Sequence, residues 1–178
     1  MKNRILSILL SVFFVLSLSA CGTETSENKD ISFDEYQNIV RDFNDSVLDA
    51  SIILSNVGQY EHNYWEALEN VDGTIDYDKM VESAMNWLEE KSDSNAETVE
   101  TSFNELGNQY SELVKHSFKD NGADEISDNV SQLFSAYNSL YNLVIEPSGN
   151  IDDFADQFNE YSSTITDFNS LLLVLLGE

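Results

Sequence analysis

From Tyr36 the apolar residues of this chain recur by alternate fours and threes: Tyr36, Val40, Phe43, Val47, Ala50, Leu54 and Val57. The seam skips Glu61 and resumes at Tyr64, Leu68 and Val71. Such spacing keeps one face of a helix apolar. Ser32, with Glu35 three positions on, forms the capping box that starts this helix. A second helix spans about Asp76 to Lys91, with Tyr77, Met80, Val81, Ala84, Trp87 and Leu88 on one face. A third, opened by Ser94 and Glu97, carries Val99, Phe103, Leu106, Tyr110, Leu113 and Phe118, and Asn121-Gly122 reads as its C-cap. The fourth carries Ile126, Val130, Leu133, Tyr137, Leu140 and Val144 and stops at the chain's one proline, Pro147. Asn150 caps the fifth, where Asp152 and Asp153 suit the N-terminal dipole. Its seam runs from Ile151 through Phe154, Phe158, Tyr161, Ile165, Phe168 and Leu172 to Leu175.

No period-2 run competes, so the expected fold is all-α, an antiparallel bundle of four to five helices over residues 32–178. Residues 33–71 as one helix span about 58 Å, whereas helices three to five are nearer 38 Å. This mismatch predicts that the first helix either bends back at Gly58 or projects with the second as a two-helix extension. The short apolar run Leu171–Leu176 reads as the last turns of helix five, buried under a loop or the tether.

A different pattern precedes the bundle. Lys2 and Arg4 lead into an apolar stretch from Ile5 to Leu18. A secretory signal peptide has this anatomy, and the stretch is short of the roughly 20 residues a spanning helix needs. It closes on Leu18-Ser19-Ala20-Cys21, which holds the chain's only cysteine. These four residues resemble the lipobox of bacterial lipoproteins. The resemblance implies cleavage before Cys21 and a diacylglyceryl group on its thiol. Residues 1–20 are then a signal peptide, and polar residues 21–31 a flexible tether. The implied location is the extracytoplasmic face of the cell membrane, in a Gram-positive-like envelope. Two acyl chains suffice for stable anchoring. Apart from that covalent lipid, no cofactor is expected.

Charge narrows the partners. Loss of residues 1–20 removes Lys2 and Arg4 and no acid, leaving 33 acids against six bases and a net charge of −27. A surface that tracks phosphates needs clustered Lys and Arg, so nucleic acid is excluded. Docking of the protein surface on anionic lipid is disfavoured on the same ground.

The motifs that carry chemistry are weak. Glu112, His116 and Asp120 share a helical face, but no second histidine or cysteine set joins them. The acids of Asp72–Asp78 and Asp120–Glu125 miss the EF-hand order and read as helix caps. No nucleophile elbow or phosphate loop is present, so an enzyme is not expected. No metal site is expected either. Tyr60, Tyr64, Trp65, Tyr77 and Trp87 form an aromatic group between the first two helices. Packing within the bundle is their first reading. Tyr and Trp also favour partner surfaces, which makes these five the candidate partner-binding residues.

The functional expectation is a membrane-anchored, non-catalytic interaction module with a protein partner at the cell surface. Its size, anchoring and class are similar to those of immunity and superinfection-exclusion lipoproteins. The alternatives are an envelope binder of cations or cationic ligands, and a structural envelope component.

Overall fold

The computed structural model describes residues 31–69, 74–92, 94–118 and 122–177. The leader, the tether and Cys21 lie outside them. The described residues are all-α and contain no strand. The helices are α1 (Phe33–Glu69), α2 (Tyr77–Lys91), α3 (Ala96–Leu113), α4 (Ala123–Ile145) and α5 (Ile151–Leu175). Short polar residues start them. The Glu35 amide donates to Ser32 Oγ at 3.1 Å, Lys79 to Asp76 Oδ1 at 3.2 Å and Asp153 to Asn150 Oδ1 at 2.9 Å. Each satisfies one of the amides that a helix start leaves without a partner.

Helix α1 is continuous for 37 residues, or about 55 Å, and neither bends back at Gly58 nor projects. It is matched in length because α2 and α3 lie end to end against it. Tyr60 meets Trp87 at 5.4 Å between ring centroids, Leu54 and Ala50 share a seam with Val99, and Tyr36 meets His116 at 6.3 Å and Phe118 at 4.9 Å. As α1 descends in number, α2, α3 and the segment after them ascend. The expected length mismatch disappears because α2 and α3 together match the length of α1. Four rods result, namely α1, α2 with α3, α4 and α5.

Aromatic pairs fix their directions. On the α1–α5 side Arg41 Nη2 donates to Leu176 O at 3.5 Å, and Trp65 meets Phe154 at 5.9 Å, so the two are antiparallel. Phe43–Phe134 at 6.2 Å, with Gly58 beside Val144, makes α1 and α4 parallel. Phe103 stacks on Tyr141 at 3.9 Å and Tyr110 on Phe134 at 4.5 Å, so α3 opposes α4. This is an up-down-up-down bundle whose second rod is broken.

Helix α1 touches all the other rods and needs a wider buried face than two stripes provide. Its third stripe is Asn44, Ser51, Gly58 and Trp65, all buried at intervals of seven. Gly58 lets α5 approach. A Cβ there would lie 2.4 Å from Phe158 Cε2 and 3.2 Å from Val144 Cγ2. Gly58→Ala is therefore expected to destabilise by about 1–3 kcal/mol through overpacking, although alanine alone gains up to about 1 kcal/mol of helix propensity. Denaturant unfolding checks this, and Phe158→Leu in the same background should recover part of the loss. Unchanged stability of the single variant would show that the ring swings aside.

Three local expectations are corrected. Helix α3 ends at Leu113, with Val114 at its C-cap, so Phe118 is outside it; Gly122, at φ 110°, is the N-cap of α4, not a C-cap of α3. The cap of α3 is Asn95, whose Oδ1 accepts from the Thr98 amide at 3.0 Å, one residue after Ser94. The run Leu171–Leu176 is only half covered. Leu172 and Leu176 are buried, but Leu171 and Val174 are exposed, Val174 at 68 %.

Candidate functional site

The five aromatic residues singled out in the sequence do come together, along the contact between α1 and α2. They divide into two groups. Trp65 is 2 % exposed and forms a small buried cluster with Met80 and Phe154. Tyr77 meets its ring edge-on at 5.2 Å and donates its hydroxyl to Gly149 O at 2.9 Å. These two hold the ends of α1, α2 and α5 together; Trp65 belongs to the core, while Tyr77 is half-buried and keeps its hydroxyl hydrogen-bonded at the edge. Trp65 therefore follows the first reading, packing within the bundle, and is not available as the contact residue of the second.

Tyr60, Tyr64 and Trp87 are only half-buried. Tyr60 lies 6.4 Å from Tyr64, near parallel, and 5.4 Å from Trp87. Tyr60 and Tyr64 are four apart and share a face of α1. Trp87 reaches the same place from α2. The three rings form a row that breaks the surface. Tyr60 stands 27 residues beyond Phe33 in a continuous helix, about 40 Å from where the described chain begins.

Glu61 is the residue that the sequence reading missed. It is 0 % exposed, and neither carboxyl oxygen has a hydrogen-bond partner among the described residues. The cost of stripping water from a charge pushes its pKa up to about 9, so the carboxyl is neutral near pH 7. The apparent skip in the seam was in fact occupancy. Glu61 holds the heptad place of Val40, Val47 and Leu54, and that register was the available signal. Gly58, three residues before it, faces Phe158 and Val144, and Trp65, four after it, faces Phe154. His62 Nδ1, both amide atoms of Asn44 and Ser162 Oγ are also buried without a partner among the described residues.

Other polar candidates dissolve. Because α3 ends at Leu113, Glu112 and His116 do not continue along one helical face, and Glu112 pairs with Lys115. The His116 ring lies 6.4 Å from Phe118. Asp120 and Asp72 fall outside the described residues, while Asp76 of the other acidic segment caps α2. Among the described residues no group of three or more His, Cys, Asp or Glu side chains is placed to hold a metal ion, and no helix is long and apolar enough to cross a membrane.

No family model, curated protein or solved structure matches the chain.

Proposed function

We propose that this chain is a lipid-anchored, extracytoplasmic protein that works as a non-catalytic binding module. Cys21 carries the lipid, and the row Tyr60–Tyr64–Trp87 meets a protein partner. The single observation that supports the contact face is its placement. Three half-exposed rings from two helices gather about 40 Å along α1 from Phe33, at the far end of the bundle from the residues that follow the tether. Large aromatic rings on a rigid helical scaffold give contact area at low entropic cost. The net charge of −27 favours a basic partner and faster encounter at low salt.

Cys21→Ala is expected to move the protein from the membrane to the soluble fraction with its helicity intact. Persistence in the membrane fraction refutes the anchor. The released protein then serves as bait for envelope extracts. Tyr64→Ala with Trp87→Ala should lower capture at least tenfold, a loss of about 1.4 kcal/mol, with an unchanged circular dichroism spectrum. Equal capture by the double variant refutes this face.

A further inference from the structure

Large aliphatic side chains stay exposed in only one half of this bundle. Among the described residues they are Ile39 and Ile52 on α1, Val114 at the end of α3, and Leu171 and Val174 in the last turns of α5. None lies beyond Ile52, near the middle of α1, and α2, α4 and residues 151–170 of α5 show none. A single exposed aliphatic needs no explanation, but a one-sided distribution does. Leu171 and Val174 form the strongest patch. They are 41 % and 68 % exposed, and half-buried Phe168 and Leu175 flank them on the same side of α5. Leu172 and Leu176, on the other side, already serve the core.

This half is also where the chain enters the bundle. The bond from Arg41 Nη2 to Leu176 O sets the end of α5 beside the third turn of α1, about 14 Å along the helix from Ser32. Cys21 precedes Ser32 by eleven residues, and even a fully extended chain covers only about 40 Å over that span. An acyl group on Cys21 therefore holds this half near the bilayer, while Tyr60, Tyr64 and Trp87 lie at the other end of α1.

We infer that the last turns of α5 rest on the bilayer to which Cys21 is anchored, with Leu171 and Val174 at the boundary between headgroups and acyl chains. The inference rests on the acylation of Cys21 proposed above. Burial of apolar surface drives the contact. The net charge of −27 left after loss of residues 1–20 removes any attraction to anionic lipid, so the contact is one that a neutral bilayer makes. Exposed Asp167, one turn before Leu171, limits its depth, because the carboxylate stays in the hydrated headgroup layer. One covalent attachment point does not fix orientation. This second contact does, and it presents the aromatic row away from the membrane.

The test uses the full-length acylated protein in phosphatidylcholine vesicles with plain or brominated acyl chains, since bromine quenches indoles at the acyl boundary. Val174→Trp reports the patch, and Asn159→Trp, at an exposed position in the first half of α5, gives the comparison. The parent protein supplies the background, because Trp65 and Trp87 lie at the other end. Brominated lipid should quench Val174→Trp about threefold more than Asn159→Trp, as an interfacial face sinks only about 5–10 Å. Leu171→Trp should repeat the result at a second position. Equal quenching at the two positions, or none at either while the protein floats with the vesicles, overturns the inference and leaves the anchor standing. Failure to float with the vesicles refutes the anchor, and the inference with it. A buried indole at position 174 without vesicles, together with a dimer-sized mass, would assign the patch to a second copy of the chain and overturn the lipid contact.

Discussion

Replacing Trp65 by alanine is expected to cost about 3–5 kcal/mol, the usual range for removing a large aromatic side chain from a core. The indole is 2 % exposed and joins three elements at once, meeting Met80 of α2, Phe154 of α5 and the Tyr77 ring. The cavity cannot collapse easily. Phe154 is itself fully buried and stacked against Phe158 at 6.1 Å, and Phe158 is wedged against Gly58. A loss of this size is a large fraction of the 5–15 kcal/mol that holds a domain together. The readout is the urea midpoint at constant slope, with near-ultraviolet circular dichroism to follow the aromatic packing. Trp65→Phe should retain a good part of the stability. A loss below about 1 kcal/mol for Trp65→Ala would mean that this cluster is not a packed core. The outcome also bears on function, since a drop in partner capture by a Trp65 variant would report unfolding of this end, whereas Tyr64 and Trp87 report the surface.

Glu61→Gln is expected to stabilise the protein, by an amount that grows with pH. In the folded chain the carboxyl keeps its proton up to about 9, while in the unfolded chain it ionises near 4.5. Between those values the folded state holds one more proton than the unfolded state. Stability from this group is therefore complete below about 4.5 and falls by about 1.4 kcal/mol per pH unit as the pH rises toward 9, where the loss levels off. The amide of Gln does not titrate. Relative to the parent, Glu61→Gln should be close to neutral at pH 4.5–5 and more stable by about 2–4 kcal/mol near pH 7.5. Thermal or urea unfolding of both proteins at several pH values measures the difference directly. Taking the difference cancels the many exposed carboxylates, which titrate alike in both. A gap that stays constant with pH would place Glu61 in contact with water in the folded state. Glu61→Leu should also flatten the pH profile and removes the polar group altogether.

The two substitutions probe one end of the bundle from opposite directions. Trp65 holds the end of α1 closed against α2 and α5. Glu61, four residues earlier on the same helix, makes that closure costly at neutral and higher pH. A buried carboxyl without a hydrogen bond is rarely retained for stability, because apolar residues of similar size pack better.

Most of the secondary structure was legible in the chain. Tyr36, Val40, Phe43 and their successors named the α1 face, and Ser32, Asp76 and Asn150 marked three of the helix starts. Errors fell where local signals compete. Ser94 and Asn95 are both capping types, and only the backbone bond to Thr98 chose Asn95. Asn121-Gly122 resembles a helix end, yet Gly122 begins the next helix, since the chain leaves α3 early to lay Phe118 on Tyr36. Glu61 reads by residue type as a polar interruption of the seam, and only its register, seven after Leu54, places it on the buried face.

Periodicity along this chain determined the helices, three of the helix starts and the all-α class, because each depends on neighbours within one or two turns, and composition alone set the acidic character. The tertiary structure alone decided that α2 and α3 form a single broken rod along α1, that Gly58 seats the Phe158 ring, and that Trp65 is core while Tyr60, Tyr64 and Trp87 reach the surface. It also decided that Glu61 is buried. Those outcomes depend on which helix faces which, and the same amphipathic stripe is compatible with many partners until side chains from distant segments fill one another's spaces.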